Sequence, residues 1–265
     1  MRKIPCKLLL FDLDGTLLRS DKTISERTLS ALRQCREKGI LIGVSTSRSE
    51  QNSLVYLNEL QPDILISSGG ALVKYGAAYI YQAEFSAAET KAMIALARVV
   101  CGEACEITID TIAAHYWNYK ADPKKTDQNW GDSIYTDFAD FSEPSLKMCV
   151  EIFEEAKAAE LADKLPDCDH VRFSDGYWYK FTKKNATKEN AILRVAQACG
   201  FDTGSIIAFG DDYADIGMLK LCGTGVAMGN AIEAVKAAAD VVIGSNDEEG
   251  IADFIERNSR ENAFC

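Results

Sequence analysis

The strongest constraint on the fold is a set of short apolar runs, each of which ends in polar residues and leads into a helical pattern. The first is LLLFDLDGTLL (8–18), and ILIGVSTS (40–47) and DILISSGG (63–70) follow it. Near the other end of the chain, SIIAFGDD (205–212) repeats the arrangement. Continuous apolar runs that alternate with helices are typical of parallel strands buried on both faces. The sequence therefore predicts an α/β protein built on a doubly wound, Rossmann-like parallel sheet.

The dipeptide Asp14-Gly15 could close a hairpin, but the residues after it have helical rather than strand periodicity. Thr23 and Glu26 have the spacing of a capping box and predict the start of the first helix. A second helix is predicted through Leu54, Leu57 and Leu60. The order is thus strand, acidic loop, helix, and in open α/β sheets ligands bind at the carboxyl ends of the strands.

The pattern changes between about residues 71 and 186. Residues 71–85 indicate a hairpin, Ser86 and Glu89 a capped helix that runs to about Cys101, and CEITID (105–110) and AAHYWNYK (113–120) antiparallel strands. A polar loop, ADPKKTDQNWGD (121–132), and a second Asp-Gly hairpin, HVRFSDGYWYKF (170–181), follow. We therefore expect residues 84–185 to form an inserted α+β domain, and residues 1–83 and 186–265 to form one discontinuous core.

Composition narrows the class of protein. The 265 residues are 47% hydrophobic, which is ordinary for a globular chain, and the net charge of -11 argues against a nucleic-acid partner. No apolar run approaches the roughly 20 residues of a membrane span, and the first residues do not resemble a secretory signal. The nine cysteines include no CxxC pair, as expected in a reducing compartment. We predict a cytoplasmic protein that does not associate with a membrane.

Unusual polar side chains follow four of the predicted elements. They are Asp12 and Asp14 in FDLDGT, Thr46 in VSTSR, Lys188 in NATKENA, and Asp211, Asp212 and Asp215 in FGDDYAD. Each group taken alone has a simple structural explanation, such as a turn or a helix cap. Their positions at equivalent ends of sheet elements predict that they converge in one crevice.

Phosphoryl transfer through an enzyme aspartate needs these residue types. Asp12 is predicted to be the nucleophile, and Asp14 to donate a proton to the leaving oxygen and later accept one from water. Thr46 and Lys188 would hold phosphate oxygens, while Asp211 would complete a magnesium site. A bound cation is expected because clustered carboxylates repel one another.

These motifs resemble those of the haloacid dehalogenase (HAD) superfamily, and most closely the Cof-type phosphatases. DLDGTLL matches the first motif, VSTSR the second, Lys188 the third, and GDDYADIGML with GVAMGNA the fourth. The resemblance covers the predicted core. In this family an insertion between the second and third motifs forms a cap over the active site, which is where residues 84–185 fall.

The resemblance also implies roles for individual residues. By it, Asp12 and Asp211 bind Mg2+ through their side chains, Asp14 binds it through the backbone carbonyl, and Asp215 supports the water shell of the metal. The backbone amides of Leu13 and Ser47 are expected to bind phosphate.

Three positions depart from the family pattern. Ser47 and Gly69 stand where Gly and Asn are usual, and Ala214 stands where the family usually has an Asn that contacts phosphate or orients Lys188. Since both acids of the first motif are retained, we expect an active Mg2+-dependent phosphatase of a small phosphorylated metabolite, such as a sugar phosphate or a phosphorylated cofactor. A sugar phosphomutase and a non-catalytic regulatory protein are the alternatives. The sequence does not indicate an oligomeric state.

Overall fold

A computed structural model of the chain describes residues 6–119, 133–174 and 176–260, and within them the chain forms 14 strands and eight α-helices. The strands are β1 (Leu8–Phe11), β2 (Leu41–Ser45), β3 (Ile64–Ser67), β4 (Leu72–Tyr75), β5 (Ala78–Gln82), β6 (Ile107–Asp110), β7 (His115–Trp117), β8 (Ser133–Tyr135), β9 (Lys147–Glu151), β10 (Cys168–Arg172), β11 (Trp178–Lys183), β12 (Ile206–Gly210), β13 (Thr224–Ala227) and β14 (Val241–Val242). The helices are α1 (Glu26–Glu37), α2 (Glu50–Leu57), α3 (Ala87–Cys101), α4 (Glu155–Lys164), α5 (Lys188–Cys199), α6 (Ile216–Leu221), α7 (Glu233–Ala238) and α8 (Gly250–Arg260). None of these helices is both long and apolar enough to cross a bilayer. The predicted loop 121–132 and Asp175 of the second Asp-Gly hairpin lie outside the described residues.

The larger sheet has the strand order β14-β13-β12-β1-β2-β3-β4-β5. Its strands are parallel from β14 to β3, and the hairpin of β4 and β5 adds two antiparallel strands at one edge. The predicted α/β class is thus confirmed. Strand β1 lies between β2 and β12, so the segment that carries Asp12 and Asp14 is in the middle of the sheet.

The central strands are buried because helices cover both faces of the sheet, as the apolar runs predicted. All four residues of β1 are fully buried, and the same is true of Ile206 to Phe209 in β12. The rings of Phe11 and Phe209 stack with centroids 4.5 Å apart at the ends of these two strands. This packing gives the following loops a rigid base.

Two predicted helix boundaries are wrong. Helix α1 is capped by Ser25, whose hydroxyl accepts from the amide of Thr28, and not by Thr23, whose hydroxyl donates to Asp21. Helix α2 ends at Leu57, so Leu60 is not part of it, and Leu54 is exposed rather than facing the core. The residue before a proline is disfavoured in the helical region, and Pro62 therefore explains why the helix does not continue.

The smaller sheet has the order β10-β11-β9-β6-β7-β8, and all of its strands come from between residues 107 and 183. Helices α3 and α4 cover one face, where they form a separate hydrophobic core with residues such as Met148, Tyr179 and Phe181. The predicted capping box of Ser86 and Glu89 at the start of α3 is confirmed. The exact limits of the insert, 84 and 185, stay a prediction.

The strands of the smaller sheet present alternate residues to its opposite face. The sheet carries two aromatic clusters, HYW (115–117) and YWY (177–179), and each has one ring at the helix-covered core: Tyr116 packs against that core and Tyr179 is part of it. Trp117 and Trp178 alternate with them and belong to the other face. We name this other face the polar face, because it also carries Asp110, Lys147 and Lys180.

Candidate active site

The adjacency of β1 and β12 brings the first and fourth acidic segments together. Phe11 lies beside Phe209 in register, and the amide of Asp12 donates to the carbonyl of Phe209 at 2.9 Å. Asp12 and Asp211 therefore leave neighbouring parallel strands at the same edge of the sheet. This is the edge at which open α/β sheets bind ligands.

Lys188 lies between two of the predicted site acids. It is the first residue of α5, directly after the cap Thr187, and its Nζ lies 2.6 Å from Oδ1 of Asp12 and 2.7 Å from Oδ1 of Asp215. Burial lowers the pKa of Lys188, but the two carboxylates outweigh it and raise the pKa above the usual range. The side chain is therefore a fixed positive charge beside the predicted nucleophile.

Three carboxylates, those of Asp12, Asp211 and Asp215, form one cluster in which an oxygen of each lies within 4.8 Å of the others. Asp215 is held by the amides of Asp211 and Asp212, which donate to its Oδ2 at 3.0 and 3.2 Å. Thr16 donates to Oδ1 of Asp211 at 2.7 Å. Each acid of the cluster thus has a fixed position.

The electrostatics of the cluster favour an added cation. Burial, and next the charge of Asp215, raise the pKa of Asp211 to about 7. Burial also raises the pKa of Asp12 well above its usual range, although Lys188 opposes this. An all-oxygen set of three acids with one neighbouring ammonium fits Mg2+, which prefers carboxylate ligands. The residues that would hold it are Asp12 and Asp211, with Asp215 beside them.

Gly15 makes the approach of the first loop to Asp211 possible. Its φ is +74°, which is the left-handed region, and a Cβ at this position would overlap Oδ2 of Asp211. Any other residue would move either the loop or the carboxylate.

The carboxylate of Asp14 lies outside the three-acid cluster. Nε and Nη2 of Arg48 lie 2.5 and 2.8 Å from its two oxygens, and Nζ of Lys22 lies 2.7 Å from Oδ1. Burial raises the pKa of Asp14, but the bonds to Arg48 and Lys22 outweigh it and lower the pKa. In this arrangement Asp14 is ionised and fits a proton acceptor. Donation of a proton would require it to leave Arg48.

Thr46 and Ser47 follow β2, next to the Asp12 loop. The hydroxyl of Thr46 accepts from the amide of Arg48 at 3.0 Å, and the carbonyl of Ser47 accepts from Nζ of Lys147 at 2.6 Å. Leu13 follows Asp12 with its side chain fully buried. The phosphate-binding roles of Leu13, Thr46 and Ser47 stay predictions.

A buried network joins the polar face to the larger sheet. The carboxylate of Asp110 binds Nδ1 of His115 at 2.7 Å, Nζ of Lys147 at 2.8 Å and the hydroxyl of Ser68 at 2.8 Å. Burial opposes ionisation of Asp110, but Lys147 and His115 lower its pKa to about 2. Since Lys147 also binds the carbonyl of Ser47, the network connects the smaller sheet to the loop after β2.

Sequence reasoning missed this network and the partners of Asp14. Arg48 is the last residue of the VSTSR motif, so its position could have indicated a role in the site. Asp110 and Lys147 lie in strands whose sequences contain no such motif. Their importance depends on which strand face they occupy and on the contact between the two sheets. An Asn in place of Ala214 is not needed to orient Lys188, because Asp12 and Asp215 do so.

Comparison with known proteins gives a consistent result over nearly the whole chain. The family model described as haloacid dehalogenase-like hydrolase matches residues 9–255. A 5-amino-6-(5-phospho-D-ribitylamino)uracil phosphatase of Bacillus subtilis, YcsE, is 26% identical over 95% of this chain and 95% of its own length. The pyridoxal phosphate phosphatase YbhA of Escherichia coli is 28% identical over 94% of this chain and 97% of its own. A solved sugar phosphatase of HAD subclass IIB superposes with a TM-score of 0.83 at 28% identity, covering 96% and 99% of the two chains.

Proposed function

Because the chain belongs to the haloacid dehalogenase-like hydrolase family, we propose that it is a Mg2+-dependent phosphatase that hydrolyses a small phosphorylated metabolite through a phosphorylated Asp12. The single observation that carries the proposal is the position of Lys188 between Asp12 and Asp215, with Asp211 in the same cluster. A structural ion pair needs only one acid for each lysine. Three clustered acids with a lysine at the ligand-binding edge of a sheet suit metal-assisted phosphoryl transfer.

In the first step, a carboxylate oxygen of Asp12 attacks phosphorus and the bond to the ester oxygen breaks. Asp12 can be aimed because Lys188 fixes its Oδ1 and the backbone before it is buried strand. The ammonium of Lys188 would also bind the phosphoryl oxygens as their charge develops. When bound, Mg2+ supplies positive charge that keeps the carboxylates ionised and screens them from the phosphate.

Asp14 is the proposed proton carrier. The leaving oxygen needs a proton in the first step, and the attacking water loses one when the phosphorylated aspartate is hydrolysed. The bond from Arg48 favours the ionised form of Asp14, which suits the second step. We propose that Asp14 binds Arg48 when it acts as the base and is released from it when it acts as the acid.

The relatives support the substrate class. One is named as a phosphatase of 5-amino-6-(5-phospho-D-ribitylamino)uracil and another as a phosphatase of pyridoxal phosphate, and both of these compounds are small phosphomonoesters. A smaller sheet whose polar face lies against the site loops is suited to covering a substrate of this size and excluding water.

The test is a phosphate-release screen over phosphorylated metabolites with Mg2+, on the wild type, Asp12→Asn, and Asp140→Asn as a control at an exposed acid. We expect the wild type and Asp140→Asn to release phosphate and Asp12→Asn to lose more than about 1,000-fold of the rate. Acid quenching followed by peptide mass spectrometry should find phosphate on the peptide that contains Asp12. Absence of any hydrolysis by the wild type, or full activity of Asp12→Asn, contradicts the proposal, and an isomeric sugar phosphate as product would favour a phosphomutase.

A further inference from the structure

Lys180 is a buried cation on the polar face, close to the proposed phosphate site. It lies in β11, between Tyr179 and Phe181 of the helix-covered core, and is 4% exposed. Its neighbours across the sheet are Val171 of β10 and Cys149 of β9, and Cys149 in turn lies beside Thr108 of β6. The side chain of Lys180 therefore extends away from the smaller sheet's own core and toward the larger sheet.

The other buried cations near the site are neutralised by carboxylates, whereas Lys180 is not. Lys188 binds Asp12 and Asp215, Lys147 binds Asp110, and Arg48 binds Asp14. An ion pair requires a carboxylate oxygen within 4.0 Å of the ammonium nitrogen. Among residues 6–119, 133–174 and 176–260, no carboxylate oxygen lies this close to Nζ of Lys180. Burying an unpaired charge costs folding free energy, so a buried lysine without a carboxylate partner indicates a functional role.

Gly69 provides the space that the ammonium occupies. This is one of the positions that departs from the family pattern, with Gly where Asn is usual. A Cβ at position 69 would lie 2.6 Å from Nζ of Lys180 and 2.8 Å from its Cδ, so a larger residue would displace the lysine. The amide of Gly69 donates to the carbonyl of Thr46 at 3.0 Å. The ammonium thus lies against the loop that contacts the predicted phosphate-binding threonine.

The charges around Lys180 favour an anion. Burial, and next the ammonium groups of Lys188 and Lys147, lower the pKa of Lys180 to about 8. Cys149 and Glu189 act in the opposite direction, and more weakly.

We propose that Lys180 is a specificity-determining residue that binds a negatively charged group of the substrate other than the transferred phosphoryl group. The proposal rests on the proposed phosphatase function and names its substrate class: phosphomonoesters that carry a second anion, either a carboxylate or a second phosphate. The transferred group is bound from the larger sheet, by Lys188 and the loops after β1 and β2. Lys180 reaches the same crevice from the smaller sheet, where the remainder of the substrate would lie.

Two matched pairs of compounds separate the possible anions. Glycerol 3-phosphate and 3-phosphoglycerate differ in a carboxylate, and fructose 6-phosphate and fructose 1,6-bisphosphate differ in a second phosphate. Their dissociation constants are measured by calorimetry with Mg2+ on the full-length Asp12→Asn protein, so that no turnover interferes. The same measurements are made after adding Lys180→Met, Lys180→Arg, or Lys91→Met as a control at an exposed lysine of α3.

We expect the second anion to strengthen binding in at least one pair of compounds. Lys180→Met should reduce the ratio of the two dissociation constants in that pair by about 10- to 100-fold. Lys180→Arg should retain part of it and Lys91→Met all of it. A Gly69→Asn variant should act like Lys180→Met, because the added side chain displaces the ammonium. The pair that responds identifies whether the group is a carboxylate or a phosphate.

The inference is overturned if Lys180→Met weakens both members of each pair equally, which would mean contact with the shared phosphoryl group, or if neither pair shows a preference. These outcomes are distinguishable from a failure of the proposed function. If the wild type releases phosphate from no phosphomonoester, the phosphatase proposal fails, and the binding preference still decides the role of Lys180.

Discussion

Arg48 binds both carboxylate oxygens of Asp14, with Nε 2.5 Å from Oδ2 and Nη2 2.8 Å from Oδ1. Two-point contacts of this kind are stronger and more directional than single ones. Asp14 is the proposed acid and base, so a buried arginine controls both its position and its protonation. The pH dependence of the reaction should therefore report the effect of Arg48 on the pKa of Asp14.

We expect Arg48→Met to slow hydrolysis of the phosphorylated Asp12, measured in single turnovers, by about 10- to 100-fold and to move the acidic limb of the pH profile of this step upward. The reason is that the pKa of Asp14, now held low, rises when the guanidinium is removed. Lys22→Met, which removes one contact instead of two, should give a smaller shift in the same direction. An unchanged acidic limb in Arg48→Met would show that Asp14 does not set it.

Replacing Lys188 by Met leaves the cluster of Asp12, Asp211 and Asp215 without its ammonium. Loss of one partner of a buried ion pair costs about 3–5 kcal/mol, and we expect that decrease in the free energy of unfolding without Mg2+. Added Mg2+ should reduce the deficit, because it supplies positive charge to the same acids. Urea titrations with Mg2+ and with a chelator measure both values, and equal deficits in the two conditions would contradict a metal at this cluster.

Magnesium affinity should increase with pH between about 6 and 8. The pKa of Asp211 is about 7 without metal, and a ligand carboxylate must lose its proton when the metal binds. For one such group the apparent affinity rises about tenfold over this interval. Calorimetry in buffers of different ionisation enthalpy measures the released proton, and Asp211→Asn should reduce the release and weaken binding.

The Asp110 network contributes stability that depends on pH. The folded pKa of about 2 is below the unfolded value of 3.8, so the stabilisation is complete above about pH 4 and is lost as the pH falls toward 2. Asp110→Asn should cost about 3–5 kcal/mol near neutral pH, because Lys147 remains buried without its carboxylate. Unfolding of this variant and of Asp140→Asn, followed from pH 7 to pH 3, should show the deficit of Asp110→Asn narrowing in acid.

Lys180→Met should make the protein more stable while it changes substrate preference. The folded pKa of about 8 is below the ordinary 10.5, so the folded protein binds fewer protons than the unfolded chain between these values. Wild-type stability therefore rises across that interval, and the advantage of Lys180→Met, on the order of 1–3 kcal/mol at pH 7, should disappear by about pH 10.5. Lys91→Met should show no such pattern in thermal unfolding, and a destabilised Lys180→Met at pH 7 would contradict an unpaired charge.

The sequence was sufficient to predict the sheet class and the convergence of Asp12, Lys188, Asp211 and Asp215. Apolar strands followed by acids define the edge at which these residues meet, and that edge follows from chain order alone. The position of the Asp14 carboxylate could not be predicted, because it depends on the rotamers of Arg48 and Lys22 rather than on spacing. The partners of these acids had to come from the structure.

The contacts between the smaller sheet and the site loops also could not be predicted from the sequence. In β11, Lys180 alternates with aromatic residues and could face either side until the position of α3 and α4 is known. Gly69 could be identified as unusual, but its effect on Lys180 arises between residues that are 111 positions apart. Long-range pairs of this kind leave no periodic signal in a single sequence.

The pairing of β1 with β12 has a consequence for how the protein is made. Leu8 lies beside Ile206, so the middle of the larger sheet cannot close until nearly four-fifths of the chain has left the ribosome. Until then, one edge of the apolar strand β1 has no native neighbour, and exposed strand edges promote aggregation. The smaller sheet, whose strands all lie within residues 107–183, can assemble earlier. During synthesis the nascent chain would thus complete the sheet that is proposed to cover the substrate before the sheet that carries Asp12.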